Sequence, residues 1–510
     1  MNKIILFYPL VDKNRQIPNL PFSVLNLERM LRDNPVEVIV IDERIQPDYF
    51  SIIDSNRNDL ILAGVSVMIG YQMISGKKFS AYIKENTNAG IVWGGWFPNV
   101  LPEIALSEKY VDYIIHGQGE YPFRKLVLAL LNNELFENIE GLGYKKNEEI
   151  FINELHPVVN ENEFPLIDFT KIDINKIIEI NGAHENSIRS LNYIATIGCP
   201  YNCTFCCLTT IWGQKTFSKD VATIIADLEL FTKNYRVFKI SFDDDHFFGN
   251  RSFVIELCNQ IIDKNIIIEW EANAHIGTFL KNYSADDLKI IYRAGCRSIR
   301  FGAESGDQGI LDRIRKKTTV QNCIDVAKLL KLYNIKCVMY IMVAFPWDPD
   351  KDFSMTLDLI SKVKLINKSL EVGINFFVPL PKTPLYEESI KYGFQKFESF
   401  DQITQFISNT YTAPWWKRNY RKELHDFIWL YFKYSNPGHY KSKDKKIKFI
   451  DYVVNKLFYP LCYLRLKYNY RKFRIDAKVY FFLKRIFNFI TKNKFADDSE
   501  AMARSRSWRR

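Results

Sequence analysis

Three cysteines in one short loop constrain this chain more than any other feature of its sequence. Cys199, Cys203 and Cys206 form a C-x3-C-x2-C pattern directly after an apolar, strand-like run. Structural zinc normally takes four protein ligands, whereas three thiolates on one loop would leave one iron of a [4Fe–4S] cluster open to another ligand. Gly198 and Pro200 favour a loop here, so the pattern predicts a cluster site. The alternative is that the cysteines are small core residues.

An aromatic residue, Phe205, precedes the last cysteine and completes a C-x3-C-x-(aromatic)-C signature. The segment thereby resembles the radical S-adenosylmethionine (SAM) enzymes. The resemblance implies that the open iron binds the amino and carboxylate groups of SAM. It also implies that one electron, from an external reductant, cleaves SAM to a 5′-deoxyadenosyl radical. Cys207 lies outside the spacing and is expected to pack rather than to bind iron.

The composition favours a folded protein of a reducing compartment. The chain has 510 residues, 47% of them apolar, which suits about three domains of roughly 150 residues each. None of its nine cysteines precedes Cys199, unlike a secreted disulfide framework. The N-terminal MNKIILFYPL is too short and strand-like for a signal peptide. No apolar run approaches the about 18 residues that would span a membrane. We therefore expect a cytoplasmic protein.

The first part of the chain alternates strand-like and helix-like stretches. Helical patterns such as 22–32 and 72–85 separate short apolar runs at 3–10, 36–42, 60–67, 89–95 and 111–117. This alternation predicts βαβ units in a doubly wound parallel sheet, in which ligands bind beyond the carboxyl ends of the strands. The residues expected at those ends are Ser66, Gly94, Gly95, Gly117, Gly119 and Glu120. For each glycine the alternative is an ordinary tight turn.

Three stretches of this region are GVSVMIG, GGWFPNVLPEIAL and VDYIIHGQGE. They resemble the cobalamin-binding domain that precedes the barrel in one large radical SAM subfamily. The resemblance implies that the strand-end residues hold cobalamin. The D-x-H-x-x-G motif that supplies a histidine to cobalt in other binders is missing, so we expect no protein histidine on cobalt; alternatively, the domain has lost the cofactor. Neither His116 nor His156 is expected to be an axial ligand.

A second series of strand–helix units follows a polar stretch. Helical patterns such as 219–234 and 320–332 separate strand-like runs at 192–198, 238–245, 266–273, 298–305, 336–345 and 373–380. Six such units resemble the partial (β/α)6 barrel of the radical SAM family, and active sites of barrels lie at the carboxyl ends of their strands.

A run of three carboxylates, Asp243, Asp244 and Asp245, follows the second of these strands. The resemblance implies that one of them accepts hydrogen bonds from the SAM ammonium, a charge-assisted contact. Which one does so is left open. The alternative is a solvated turn.

The segment FGAESGDQGIL matches the family's G-x-E-S-G signature on the fourth strand. By that match, Glu304 and Ser305 would contact the ribose or methionine part of SAM. The alternative for Glu304 is a salt bridge to Arg297 or Arg300. Lys382 stands where glycine is usual in the family's P-G-T-P segment, which indicates an altered loop on the substrate side.

Positive charge is concentrated near the C-terminus. Residues 415–494 contain 21 Lys and Arg against 5 Asp and Glu, a net of +16 in a chain of +10. In VYFFLKRIFNFI, apolar residues recur at helical spacing, at Val479, Phe482, Leu483, Ile486, Phe489 and Ile490. Such a basic amphipathic helix suits a peripheral contact at the inner membrane face. The alternative is a helix packed on the barrel. Nucleic acid is not expected, because no RNA-binding module is recognisable.

These patterns divide the chain into five segments. They are a cobalamin-binding-like domain (1–135), a linker with a small hairpin (136–190), the barrel (191–392), a helical basic and aromatic domain (393–495) and a disordered tail (496–510).

The predicted function is that of a radical SAM enzyme that transfers a methyl group, by way of cobalamin, to an unactivated carbon of a small or lipid-like substrate. Ring closure or another radical rearrangement is the alternative within the subfamily. A non-catalytic sensor that binds the cluster or cobalamin is the alternative of another class. No catalytic acid or base is assigned, because an adenosyl radical abstracts hydrogen without a side-chain base.

Overall fold

The computed structural model describes residues 1–12, 18–184, 188–405, 411–435, 445–471 and 473–491. Two compact units emerge. The first contains Met1–Ala272, Arg293–Gly295 and Pro379–Tyr411, and the second contains Asn273–Tyr292, Cys296–Val378 and the described residues from Thr412 onward. The tail predicted at 496–510 lies outside the described residues.

The first unit begins with a sheet of seven strands in the order β2-β1-β3-β4-β5-β6-β7. The strands are β1 (Lys3–Tyr8), β2 (Glu37–Asp42), β3 (Leu60–Ser66), β4 (Gly90–Gly94), β5 (Tyr113–Ile115), β6 (Leu142–Lys146) and β7 (Glu149–Ile152). The first five are parallel. The hairpin expected in the linker is β6–β7, and it continues the sheet antiparallel to β5.

Helices cover both faces of this sheet. They are α1 (Phe22–Arg29), α2 (Phe50–Asn56), α3 (Tyr71–Asn86), α4 (Trp96–Val100), α5 (Pro102–Ser107) and α6 (Glu120–Asn132). Successive residues of a strand point to opposite faces. Accordingly, Ile5 and Phe7 enter one apolar core while Ile4 and Leu6 enter the other. Two cores explain why the strands read as continuous apolar runs.

The second sheet has six strands in the order β8-β11-β12-β13-β14-β15. They are β8 (Ser190–Tyr193), β11 (Lys239–Phe242), β12 (Glu269–Ala274), β13 (Cys296–Glu304), β14 (Lys336–Val343) and β15 (Glu371–Phe376). A separate antiparallel pair is formed by β9 (Thr196–Gly198) and β10 (Thr216–Ser218).

The helices of this region follow the strands as the pattern predicts. They are α7 (Ile174–His184), α8 (Thr209–Trp212), α9 (Val221–Tyr235), α10 (Arg251–Asp263), α11 (Ile276–Asn282), α12 (Ala285–Arg293), α13 (Gln308–Arg313), α14 (Val320–Leu332), α15 (Pro349–Ile366), α16 (Pro384–Ile390) and α17 (Phe400–Gln405).

One predicted strand was wrong. The run 192–198 is two strands, because β8 ends at Tyr193, where its pairing with β11 stops. The amide hydrogens of Ala195 and Thr196 turn to the carboxylate of Asp244 instead. The chain then re-enters a strand as β9, which leads into the cysteine loop.

The C-terminal region is helical, as predicted. It contains α18 (Tyr420–Asp426), a π-helical turn at Phe427–Phe432, α19 (Lys445–Lys467) and α20 (Ile475–Thr491). Among the described residues, no helix is both long enough and apolar enough to cross a bilayer. The predicted α/β class, with a doubly wound first sheet, a parallel half-barrel and a helical C-terminal region, is confirmed.

Candidate active site

The cysteine loop begins at a position, Gly198, that only glycine can occupy. Gly198 ends β9 with φ 79°, in the left-handed region that L side chains rarely adopt. A Cβ there would also collide with the carbonyl oxygen of Lys215, beside β10. The close approach of β9 to β10 therefore fixes where the loop leaves the sheet.

The loop is held in place by main-chain hydrogen bonds. The amide of Cys206 donates to the carbonyl of Cys203 at 3.1 Å, and the amide of Leu385 donates to the carbonyl of Thr204 at 2.9 Å. Cys203 is buried, while Cys199 and Cys206 are partly exposed. Within the described ranges no three His, Cys, Asp or Glu side chains are gathered into a ready metal site. The cluster role of the cysteines therefore rests on their spacing and shared loop.

Asp244 anchors the segment that leads to this loop. Its Oδ1 accepts the amide hydrogen of Ala195 at 3.0 Å and that of Thr196. The side chain is 1% exposed, and burial raises the pKa of Asp244 to about 7, against the lowering effect of the hydrogen bonds from Thr196. Asp244 thus supports the backbone.

The other two carboxylates of the run are more accessible. Asp243 accepts a hydrogen bond from the hydroxyl of Ser241 at 2.8 Å. Both Asp243 and Asp245 are partly exposed. They remain the better candidates for a contact with the SAM ammonium.

A doubly wound sheet has a crevice at its switch point, outside the carboxyl ends of its strands. The strand order 2-1-3-4-5 means that the chain winds in one direction from β1 to β2 and in the opposite direction from β3 onward. Ligands of such sheets bind at this switch point, between β1 and β3. There the hydroxyl of Ser66 lies 2.8 Å from that of Ser23 on α1, at an exposed position. A Cβ added at Gly94 would meet nothing within 4 Å. The space beside Gly94, at the end of β4, is therefore open.

Asn99, which the sequence analysis did not single out, ties two of the predicted glycines together. Its side-chain oxygen accepts the amide hydrogen of Gly117, and its side-chain nitrogen donates to the carbonyl of Gly95 at 2.8 Å. Gly95 and Gly117 both have positive φ, of 94° and 85°. The available signal was an asparagine in the first turn after a double glycine.

Lys382 also reaches this crevice. Its ammonium donates to the carbonyl oxygen of Asn99 at 2.9 Å. Burial lowers the pKa of Lys382. Burial likewise lowers the pKa of His116, and the charge of Lys382 lowers it further. His116 shares a hydrogen bond with the carbonyl of Asn153 at 2.9 Å, as expected of an ordinary buried polar residue.

The positions of Gly119 and Glu120 indicate a structural role more than a role in ligand binding. Gly119 caps the start of α6, and Glu120 is 8% exposed. The carboxylate of Glu120 lies 3.9 Å from the guanidinium of Arg29 on α1, which also pairs with Glu161 at 3.4 Å. Burial raises the pKa of Glu120 to about 7, while Arg29 opposes that rise. This buried pair holds α1 against α6.

The crevice and the cysteine loop are neighbours within the first unit. Helix α4 starts directly after Gly95 at the end of β4, and α8 starts three residues after Cys206. These two short helices pack against each other. The end of β4 and the cysteine loop therefore face a shared region.

In the second unit, Glu304 ends β13 as one half of a buried ion pair. Its Oε1 lies 2.6 Å from Nζ of Lys316, and the two side chains are 10% and 11% exposed. Glu304 has φ 58°, and such strain in a non-glycine residue is typical of functional sites. A Cβ at Gly302 would collide with Oε1 of Glu304 and lie 2.7 Å from Nζ of Lys316. The glycine of G-x-E-S-G therefore makes room for the pair.

Ser305 is fully buried and contacts α15. Its hydroxyl donates to the carboxylate of Asp352 at 2.6 Å. Asp352 also accepts the amide hydrogen of Ala344 at 2.8 Å. Burial raises the pKa of Asp352 to about 6, although these hydrogen bonds oppose the rise. Ser305 and Asp352 thus connect the ends of β13 and β14.

The family model of the Radical SAM superfamily matches residues 193–360. That span includes the three cysteines, the aspartate run and the G-x-E-S-G segment. The chain contains a domain of the Radical SAM superfamily.

Two curated relatives of this chain are named for different activities. An uncharacterized methyltransferase of Pyrococcus horikoshii is 26% identical over 376 residues, which are 72% of this chain and 78% of the relative. The anaerobic magnesium-protoporphyrin IX monomethyl ester cyclase of a Synechocystis strain is 23% identical, over 67% of this chain and 68% of the cyclase.

Two solved structures share its fold. The cobalamin-dependent SAM radical enzyme OxsB, with aqua-cobalamin and SAM bound, has a TM-score of 0.71 at 17% identity, covering 99% of this chain and 78% of OxsB. The radical SAM methyltransferase TsrM from Kitasatospora setae, with cobalamin and a [4Fe–4S] cluster bound, has a TM-score of 0.63 at 16% identity, covering 77% of this chain and 78% of TsrM. At these identities the likeness concerns the fold.

Proposed function

We propose that this radical SAM enzyme transfers a methyl group, with the help of cobalamin, to an unactivated carbon. The observation that carries the proposal is the packing of α4 on α8, because it joins the crevice at Gly94 to the cysteine loop within one unit. Radical generation and methyl delivery must act on the same carbon atom, so their cofactors must share one region.

The residues present fit both cofactors. Cys199, Cys203 and Cys206 would hold three irons of a [4Fe–4S] cluster, and the open space at Gly94 beside Ser66 would admit a corrin. When bound, the cluster supplies the electron that cleaves SAM, and cobalamin carries the methyl group. The chain itself positions these groups and excludes water from the reacting carbon.

Three further residues are proposed to orient SAM. Asp243 or Asp245 would accept hydrogen bonds from its ammonium, since both are partly exposed at the end of β11. Glu304 would accept from the ribose hydroxyls, with Lys316 holding the carboxylate in place at 2.6 Å. Ser305 would act indirectly, by fixing the backbone at the end of β13.

The substrate is proposed to be a small molecule or a lipid-like molecule, and an external protein or chemical reductant would supply the electron. We also propose that the basic C-terminal segment, with its net charge of +16 over residues 415–494, brings the enzyme to the inner face of the membrane.

A second candidate function is ring closure by the same radical chemistry. The observation that favours it is the cyclase relative, which aligns with 67% of this chain. The two functions differ in the fate of SAM. Methyl transfer yields S-adenosylhomocysteine together with 5′-deoxyadenosine, whereas ring closure yields 5′-deoxyadenosine without S-adenosylhomocysteine.

The test begins with protein that has been reconstituted anaerobically with iron, sulfide and hydroxocobalamin. We expect cobalamin to be retained through gel filtration, and SAM with a strong reductant to yield 5′-deoxyadenosine. Replacing Cys199, Cys203 and Cys206 together by Ala should abolish the iron–sulfur absorbance and the deoxyadenosine. The matched control is Cys207→Ala, which should keep both.

Two results would contradict the proposal. Full iron content in the triple variant would remove the cluster assignment. A wild-type protein that makes deoxyadenosine but never retains cobalamin would exclude cobalamin-dependent methyl transfer and leave ring closure.

A further inference from the structure

Helices α19 and α20 form a hairpin with a fixed geometry. The guanidinium of Arg465 on α19 donates two hydrogen bonds of 2.7 Å to the carboxylate of Asp476 on α20. Arg465 is 7% exposed and its guanidinium lies 4.8 Å from the ring centre of Tyr431. A buried, bidentate pair of this kind sets the orientation of the two helices.

One side of the hairpin packs within the second unit. Helix α19 packs on α15, and Arg471, in the turn of the hairpin, binds Asp358 and Ser354 of α15. Cys462 and Leu466 are buried on this side of α19. The expected packing of a C-terminal helix on the barrel thus accounts for one side of the hairpin only.

Away from this packing, each of the two helices carries exposed apolar residues at helical spacing. On α19 and directly after it these residues are Val453, Leu457, Leu461, Leu464 and Tyr468, and on α20 they are Ile475, Val479, Phe482 and Leu483. We call this set the docking face. Leu457 is 70% exposed and Phe482 63%. A single exposed apolar residue is common on protein surfaces and needs no explanation. Rows of exposed apolar residues on two neighbouring helices do need one, because such patches mark contact surfaces.

Exposed lysines flank the docking face. The carboxylates of Glu423, Asp426 and Asp476 are paired with Arg418, Arg474 and Arg465 respectively. Lys456, Lys467 and Lys478 are exposed. Each directly precedes an apolar residue of the face, so each lies about 100° to its side.

We infer that the docking face lies flat on an anionic lipid bilayer. The apolar side chains would enter the boundary between headgroups and acyl chains, and the flanking lysines would meet anionic headgroups, as in other interfacial helices. This inference deepens the membrane contact proposed above. Because the clamp between Arg465 and Asp476 already fixes both helices, the face needs no folding on contact.

The full chain, with its cofactors, can be tested by flotation with phosphatidylcholine vesicles, with or without phosphatidylglycerol. We expect binding only with the anionic lipid, and weaker binding as salt rises. The combined change of Leu457, Leu464 and Phe482 to Ser should weaken binding at least tenfold. Replacing Lys456, Lys467 and Lys478 by Gln should weaken it by roughly fivefold per lysine removed.

A matched control removes the same kind of residue elsewhere. Phe238, Ile267 and Leu332 are 57%, 75% and 79% exposed, and their combined change to Ser should leave vesicle binding unchanged. All of these residues are exposed, so the variants should keep the unfolding temperature of the parent. Deoxyadenosine formation from SAM without substrate should also persist in every variant, which separates this test from that of the catalytic proposal.

Contact with lipid can be seen directly by placing a fluorophore in the face. In a Phe482→Trp variant, brominated acyl chains should quench the added fluorescence when anionic vesicles are present. Absence of flotation at low salt would overturn the inference. So would binding that survives the serine changes, or a wild-type dimer that those changes convert to a monomer, because the face would then be a contact between two copies.

Discussion

Replacing Lys316 by Met would leave the carboxylate of Glu304 buried without its cation. The pair is close, at 2.6 Å, and both side chains are about nine-tenths buried. Removing one partner of such a pair typically costs about 3–5 kcal/mol, because the remaining charge is desolvated and uncompensated. We expect a loss of this size in the free energy of unfolding.

A double-mutant cycle separates the structural role of the pair from its role in binding SAM. Glu304→Gln alone leaves Lys316 buried and should cost a similar 3–5 kcal/mol. Combining Glu304→Gln with Lys316→Met removes both charges, so most of the stability should return. The assay is urea unfolding followed by the fluorescence of Trp347 and Trp415 in the same unit.

The binding measurement gives the decisive contrast. The double variant should regain stability yet bind SAM at least tenfold more weakly in anaerobic equilibrium dialysis, because the carboxylate that we propose to accept from the ribose is gone. If the double variant binds SAM like the parent, Glu304 is only a structural residue. If Lys316→Met alone costs less than about 1 kcal/mol, the pair is not buried as described.

Three further predictions follow from single positions. Lys382 has φ 59°, so the Lys382→Gly variant should be more stable to denaturant than Lys382→Ala by about 1 kcal/mol. Both variants should retain less cobalamin than the parent, because the hydrogen bond to Asn99 is lost. Cobalamin retention equal to that of the parent would contradict this role of the hydrogen bond. Burial, with a smaller effect of the Lys316 charge, lowers the pKa of His275 to about 4 from 6.5. Between pH 4 and pH 6.5 the folded state then binds fewer protons than the unfolded chain. About 3 kcal/mol of stability should therefore be present above pH 6.5 and lost as the pH falls to 4. The His275→Asn variant should show a flatter dependence of unfolding free energy on pH over this range. A Cβ at Gly306 would lie 2.6 Å from a Cα atom of α15, so Gly306→Ala should destabilise the protein by about 1–3 kcal/mol and lower its unfolding temperature. Gly309→Ala, within α13, should raise the unfolding temperature slightly. A higher unfolding temperature for Gly306→Ala than for Gly309→Ala would contradict the close approach of Gly306 to α15.

The sequence predicted the elements of this fold well. Alternating apolar runs located the strands of both sheets within a few residues, since a buried parallel strand must be apolar on both faces. The one error, at 192–198, arose because Asp244 takes the amide hydrogens that a continuous strand would have used. Nothing local at Ala195 and Thr196 signals a partner so far along the chain.

The sequence by itself also predicted a cluster role for the cysteine loop and located the glycines that shape it, because ligand spacing and backbone conformation are local properties. Only the tertiary structure decided which polar side chains are already engaged. The carboxylate of Asp244 is bound to backbone 48 residues away, and Ser305 reaches Asp352, 47 residues away. Lys382 meets a carbonyl at Asn99, 283 residues earlier. Buried polar groups must find partners wherever packing brings them, and packing joins residues that no sequence pattern connects.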